Sequence, residues 1–391
     1  MTIKDLAQQY KSYAIALRRE FHMYPEASMK EYETQKRILR ELSSMGIEGT
    51  SLAGTGVVAY IEGDASGKTI GLRADMDALE LKEENSHAYV SKTDGLMHAC
   101  GHDGHVASLL LAAKILKEQK IIIKGRVKLI FQPGEETASG AKAMIEAGVM
   151  KDVDAIFGIH LWNDCESGKI SAEQGPRMAS AGIFKIFVEG KGGHGSMPHQ
   201  GVDAGLVGAA ILQNLQTIVS REINPLDPAV VSVGIFNSGT RFNVLPADAY
   251  LEGTTRCFNL EVNDSFESRI TRVAIETAKS YRATAKVDYQ QLVLPTINDP
   301  AISEIVKRSA VDVEGKESLI LFEKTTGGED FSYYGQLAPS AFAFVGCRKT
   351  NQEEYYPHHH PKFDIDEEAL AVSGALYAQV AINYLEEGSH D

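Results

Sequence analysis

The chain has 391 residues, more than one hydrophobic core usually holds, so two domains are the starting expectation. It carries 53 acidic against 39 basic side chains, a formal charge of −14, which excludes the cationic surface needed for nucleic acid or an anionic membrane. No apolar run approaches the roughly 20 residues of a membrane span, and residues 1–20 are amphipathic and charged without a signal-peptide core, so a cytoplasmic address is expected.

Residues 4–20 and 30–45 carry helical periodicity, interrupted by Pro25 and stopped at Gly46. Two β-rich runs follow, Gly56–Glu62 and Thr69–Arg73, and the second delivers Asp75 and Asp77 just past its end. Then comes His98-Ala-Cys-Gly-His-Asp-Gly-His105, three imidazoles, a thiol and a carboxylate in one short run. These residue types bind borderline divalent metals, and in an extended segment Cys100 and His102 would share a face. Beyond it a helix is expected over Val106–Gln119, a strand over Arg126–Gln132, a helix over Ala138–Ala147 and a strand over Asp154–His160. This is the alternation of an α/β fold with a mixed, mostly parallel sheet flanked by helices, whose ligands gather where strands end. One strand runs into Pro133-Gly-Glu135-Glu136 and the other into His160.

From Ala181 the rhythm changes. Strand 183–189, helix 202–221, strands 229–236 and 247–256, helix 262–281 and strand 285–292 make a complete βαββαβ, ferredoxin-like unit. Helix and strand alternation then resumes with a helix at 300–312, a Gly-rich turn at 325–330, a strand near 341–346, the triple His358-His359-His360 and a last helix over Glu367–Glu386. The organisation expected is a discontinuous domain of residues 1–180 and 294–391, interrupted by an inserted domain of residues 181–293. The cysteines, Cys100, Cys165, Cys257 and Cys347, form no Cys-x-x-Cys pair, so a disulfide framework is not expected, and only Cys100 keeps metal-binding company.

Candidate metal ligands are therefore Cys100, His102, Glu136, His160 and one of the C-terminal histidines. Five exceed what one tetrahedral ion takes, whereas two ions sharing ligands and water suit a co-catalytic hydrolytic centre with ions roughly 3.5–4 Å apart. Mixed S, N and O ligation favours Zn, Mn, Co or Ni over Mg or Ca. Glu135 is assigned as general base beside the ligand Glu136, because neighbours in an extended stretch point apart. In the insert, Gly190-Lys-Gly-Gly-His194-Gly-Ser-Met-Pro-His199 is a glycine-rich turn that is either a plain hairpin connection or a carrier of His194 to polarise a scissile carbonyl. Asn243 as a donor to that carbonyl and Arg256 as a clamp on a substrate carboxylate stand beside structural roles for both. Phe331, Tyr333, Tyr334 and Trp162 are candidate walls of an apolar acyl pocket.

His98 to His105, Gln132-Pro-Gly-Glu-Glu136, Gly158-Ile-His160, Gly192-Gly-His-Gly-Ser-Met-Pro198, Phe242-Asn-Val-Leu-Pro246, Gly328-Glu-Asp-Phe-Ser332 and His359-His-Pro-x-Phe363 occur in this order. Together they resemble the co-catalytic metallopeptidase family of aminoacylases, in the branch of hippurate hydrolases, N-acetyl-diaminopimelate deacetylases and plant auxin-conjugate hydrolases. The resemblance spans about residues 15–375. It implies a zinc-exopeptidase-like domain with a βαββαβ insert serving as lid and dimerisation domain. It implies Cys100, His102, Glu136, His160 and His359 as ligands of two divalent ions, Glu135 as base, and Asn243, Arg256 and Gly328 as substrate-binding. His194 would act in the partner subunit of a homodimer. Departures are Glu80, where the branch usually has proline, and Arg241 beside Asn243, where a small residue is common.

The function expected is dinuclear, metal-dependent hydrolysis of an N-acyl-L-amino acid, with dipeptidase or N-carbamoyl amino acid hydrolase as the nearest variants. A thiol enzyme using Cys100 and a non-catalytic metal-binding homologue are the competing classes.

Overall fold

A computed structural model describes residues 1–63, 67–119, 123–350 and 355–387. The chain divides into two compact units, one of Met1–Gly175, Ile297–Glu323 and Asp330–Asp391, the other of Pro176–Thr296 and Lys324–Glu329.

In the first unit, α1 (Ile3–Gln9), α2 (Lys11–Met23) and α3 (Tyr32–Ser44) precede β1 (Gly49–Leu52), β2 (Gly56–Glu62) and β3 (Thr69–Asp75). Next come α4 (His102–Glu118), β4 (Arg126–Gln132), α5 (Gly140–Glu146), β5 (Ala155–Glu166) and β6 (Ile170–Ser171). The chain passes through β7 (Gly175–Met178) into the second unit, built of β8 (Ala181–Glu189), β9 (Gly193–His194), α6 (Ala204–Thr217), β10 (Ala229–Ser238), β11 (Val244–Leu245), β12 (Asp248–Cys257), α7 (Leu260–Ser280) and β13 (Thr284–Val293). It returns through β14 (Thr296–Asn298) to α8 (Pro300–Glu314), β15 (Ser340–Arg348) and α9 (Glu368–Glu387). No described helix is long and apolar enough to cross a membrane.

The large sheet runs β1-β2-β4-β3-β5-β15-β6. Its inner strands β4, β3, β5 and β15 are parallel, and antiparallel strands close both edges. The inner strands are buried along almost their whole length, as expected of a parallel sheet covered on both faces, and α4 and α9 are apolar nearly all round for the same reason. The fold class read from the sequence is the one observed.

Two local expectations are corrected. His160 does not end its strand, because β5 continues to Glu166 along β15. Pairing of β5 to β3 nevertheless stops at Arg73↔Gly158, so His160 lies beyond the last paired position, level in register with Asp75 at the end of β3. Cys100 and His102 do not alternate along an extended segment. Gly101 adopts φ 93°, a left-handed turn that a side chain would strain, and α4 starts at His102 rather than at Val106.

The second unit has a sheet ordered β10-β12-β8-β13, antiparallel throughout, with α6 and α7 packed on a separate apolar core. That order is the ferredoxin-like arrangement. Lys324–Glu329 clusters with this unit because Ala179 donates to the carbonyls of Thr325 and Gly327 while Thr325 donates to Arg177. All four cysteines are buried free thiols.

On α2, Ala14, Leu17, Arg18, Phe21 and His22 share the buried face, at the i, i+3, i+4 spacing of a core stripe that two polar residues interrupt. Arg18 Nε donates to Asp103 Oδ2 at 2.9 Å, and neither side chain is exposed. Burial by itself would raise the Asp103 carboxyl, but Arg18 and then His22 hold it far below the usual carboxylate range. Arg18→Met would take the guanidinium from the buried Asp103 carboxylate and leave it to His22, and is expected to cost about 3 kcal/mol, read as a lower melting temperature at pH 7. Because the folded-state pKa of Asp103 is depressed, the stability it contributes is full above its unfolded value near 4 and is lost as pH falls towards the folded one. The wild-type advantage over Arg18→Met should therefore shrink below about pH 4.

Candidate metal centre

The loop after β3, the start of α4, the turn after β4 and the His160 stretch of β5 bring their donors together in the first unit. Cys100, His102 and His160 form one group whose ligand atoms lie within 4.8 Å of one another, and Cys100, Glu136 and His359 form a second. His102, Glu135 and Glu136 make a third. Cys100 Sγ is 3.5 Å from His160 Nε2, and His359 Nε2 is 3.7 Å from Glu136 Oε1. His102 Nε2 stands 4.0 Å from both Glu135 Oε2 and Glu136 Oε1.

Each imidazole is oriented by its other nitrogen. His102 Nδ1 faces the Asp77 carbonyl at 3.0 Å and Asp77 Oδ1 at 3.3 Å. His160 Nδ1 lies 2.8 Å from the Leu161 carbonyl, which leaves Nε2 towards Cys100. Such outer partners set the tautomer of a ligand histidine. Asp77 also receives the backbone N–H groups of Glu135 and Glu136, both at 3.1 Å, on its two carboxylate oxygens. One side chain thus places the proposed ligand and the proposed base.

Of the C-terminal histidines, His358 Nε2 lies 2.9 Å from the Leu161 carbonyl while its ring stacks on Trp162. His360 stacks on Tyr356 and accepts from the Lys362 N–H. His359 joins Cys100 and Glu136 in a donor group, and it does so from a left-handed backbone with φ 66°, held by its N–H on the Ala99 carbonyl. A non-glycine residue there is strained by roughly 1–2 kcal/mol.

The donor set fits metal. His102 Nε2 and Glu136 Oε1 are buried without a hydrogen-bond partner among the described residues, a cost normally avoided. Burial pushes the Cys100 thiol up, and Glu136 adds to it. Burial also pushes the Glu136 carboxyl up, helped by Asp77 and Asp75. His102 is driven the other way: burial disfavours its charge, yet Asp75 and Cys100 outweigh burial and raise its pKa well above the usual value. Anionic donors crowded beyond their local positive charge are the electrostatic counterpart of a cation site.

Around the donors lies a layer that sequence reasoning saw only in part. His105 accepts the Leu161 N–H on Nε2 at 2.9 Å, so Nδ1 donates to Asp75 Oδ1 at 2.5 Å. Arg73, buried, donates to Asp75, Gln132 and Asp330, and Asp330 also receives the Gln132 amide and the Ala141 N–H. An arginine inside the otherwise apolar strand β3 was the available signal for this network. His98 and Asp103 lie outside those three groups, whereas His105 forms a further group with Asp75 and His102.

Four predicted residues lie in the second unit. His194 and Asn243 are exposed and joined on the β9–β11 ribbon, where His194 pairs with Val244 and Gly195 donates to the Asn243 carbonyl. His194 Nδ1 accepts from the Ser196 N–H and lies 2.9 Å from its hydroxyl. Arg256, half-buried at the end of β12, donates to Thr254 Oγ1 and the Thr255 carbonyl. Gly328 is exposed, but a Cβ on it would come within 2.8 Å of Val293 Cγ2, so glycine is required for the close approach. The proposed pocket walls need correction: Phe331 and Tyr334 are fully buried, and Phe331 packs on both Phe342 and Tyr334, so they belong to the core rather than to an open pocket. Trp162 remains half-exposed beside His160.

Residues 71–383 match the pattern of Peptidase family M20/M25/M40. The chain belongs to that family. N-acetylcysteine deacetylase of Bacillus subtilis is 40% identical over 374 residues, covering 95% of this chain and 97% of that protein. Thermostable carboxypeptidase 1 of Saccharolobus solfataricus is 38% identical, over 98% of both chains. The solved structure of Bacillus subtilis YXEP protein, described as a dinuclear metal binding peptidase from M20 family, superposes with TM-score 0.85 at 36% identity, over 97% of this chain and 99% of that one. As an M20/M25/M40 member, the protein is a hydrolase.

For the donor set, Glu136→Ala is expected to lower bound transition metal per chain, measured by plasma mass spectrometry after dialysis, with the circular dichroism spectrum retained. Unchanged metal content would remove Glu136 from the set.

Proposed function

We propose that this chain hydrolyses the amide bond of an N-acyl-L-amino acid, using two divalent ions held by Cys100, His102, Glu136, His160 and His359, and releases a carboxylic acid and a free amino acid. The observation that carries this reading is the pair of adjacent carboxylates, Glu135 and Glu136, anchored through their N–H groups to Asp77 and equidistant from His102 Nε2. The relatives support the substrate class. A deacetylase of N-acetylcysteine and a carboxypeptidase both cut an amide whose released amino acid carries a free carboxylate. The dinuclear neighbour supports the ion count, and the mixed donors favour Zn, Mn, Co or Ni.

When bound, the ions polarise the amide carbonyl and lower the pKa of the attacking water. Glu136 serves as ligand, and the Glu135 carboxylate takes the water's proton as oxygen adds to the carbonyl carbon. The same carboxyl returns that proton to the amide nitrogen as the carbon–nitrogen bond breaks, so the amino acid leaves as a neutral amine. His194 and Asn243 donate to the oxyanion, Arg256 pairs with the substrate carboxylate, and Gly328 lets the backbone approach the substrate. Thiol catalysis is disfavoured, since a nucleophilic cysteine needs a depressed pKa, whereas burial, with Glu136, pushes the Cys100 thiol up, a rise that a bound cation would offset.

We assign a homodimer assembled through the inserted unit, with His194 acting in the partner's site, and a cytoplasmic address. The dimer reading is supported by edge strand β10, where Val230, Ile235 and Phe236 are exposed, and by Phe242, which is 96% exposed. An apolar sheet edge of this kind is normally covered.

Glu135→Gln should lower kcat by roughly 100- to 10,000-fold, with KM and metal content close to wild type, on a panel of N-acetyl, N-benzoyl and N-carbamoyl amino acids. Retained turnover would remove Glu135 as base. Mixing Glu135→Gln chains with His194→Ala chains should restore hydrolysis that neither has alone, and no recovery after subunit exchange would place His194 in its own chain's site.

A further inference from the structure

A second group of donors lies outside the centre, where α2 meets the loop after β3. His22, Glu83 and His87 present ligand atoms within 4.8 Å of one another. Glu83 Oε1 is 3.1 Å from His22 Nε2 and 3.3 Å from His87 Nε2. Those separations equal the edge of a tetrahedron around an ion with bonds of about 2.0–2.1 Å, which is about 3.3 Å. We propose that His22, Glu83 and His87 form a third divalent-metal site, of the zinc class, distinct from the two-ion centre.

The three side chains are each held in place. His22 Nδ1 lies 2.8 Å from Asp103 Oδ2, the carboxylate–histidine arrangement that fixes the tautomer and turns Nε2 towards an ion. Both His87 ring nitrogens are buried atoms without a hydrogen-bond partner among the described residues, so Nε2 stays unbonded although Glu83 Oε1 is 3.3 Å away. The His87 ring is fixed by stacking on Tyr89 at 3.8 Å between centroids. Glu83 is fixed as well, with Oε2 accepting the Ser91 N–H at 2.6 Å and Oε1 accepting from Asn85 at 3.0 Å.

Two neutral imidazoles and one carboxylate suit Zn²⁺ or Co²⁺ better than Mg²⁺ or Ca²⁺, and three protein donors leave one tetrahedral position to water. An ion entering here displaces the proton shared between His22 Nε2 and Glu83 Oε1, 3.1 Å apart, and that proton passes to solvent. The positive charge of Arg18 beside His22 does not preclude this, because Asp103 and Asp364 already pair with it.

The full chain, stripped by chelator and dialysed against Zn²⁺, should hold one more ion per chain than His87→Leu treated in the same way. The variant should keep its hydrolytic activity, and wild-type crystals soaked in Zn²⁺ should show an anomalous peak between His22, Glu83 and His87. Equal zinc content in the two proteins overturns the proposal, as does the absence of that peak, which needs no variant to fold. Loss of hydrolysis together with the ion would also overturn it, since the missing ion would then be one of the catalytic pair.

Discussion

The buried carboxylate of Asp77 is the joint on which the metal centre hangs. It takes the N–H groups of Glu135 and Glu136, the hydroxyl of Ser28 and, together with its own backbone carbonyl, the Nδ1 side of His102. A single group so ties the turn after β4, the start of α4 and the segment between α2 and α3 to the end of β3. Burial opposes its charge, but His102 and Ser28 hold the carboxyl below its usual range, so it stays an acceptor. Rigid placement of ligand and base by shared outer partners is what lets a hydrolytic centre work without reorganising during the reaction.

Beyond Asp77, a chain of charge-assisted bonds leads from the donors into the fold. Asp75 joins His105 to Arg73, and Arg73 joins Asp75 to Asp330. Every member is buried and paired, the condition under which a polar network in a low-dielectric interior adds rigidity rather than cost. The loop carrying Asp330 is in this way fastened to the same strand end that carries Asp75 and Asp77.

Elements were legible where one local pattern decided them. The apolar runs 56–62 and 126–132 appear as strands β2 and β4 with the same ends, and the change of rhythm at Ala181 marks where β8 begins. The donor types were legible because Cys100, His102 and the Glu135–Glu136 pair stand at the ends of apolar segments. What escaped depends on partners distant in the chain. The Arg73–Asp330 bond spans 257 residues, and the continuation of β5 past His160 follows from its pairing with β15. The turn at Gly101 was missed because glycine permits a left-handed backbone without announcing it. Arg18 and His22 left a trace, two polar residues at positions i and i+4 on an otherwise apolar helix face.

Strand order also has a consequence for how the protein is made. β15, formed from residues 340–348, lies between β5 and β6 in the large sheet, and the donor His359 follows it. Synthesis is vectorial and adds about 5–20 residues per second. The inserted unit therefore emerges from the ribosome complete, able to collapse on its own core, while the larger sheet still exposes one long side of β5. Strand β15, which covers that side, and the donor His359 are synthesised only after the inserted unit. Cys100, His102, Glu136 and His160 thus wait for the last of these grouped donors until residue 359 has been made.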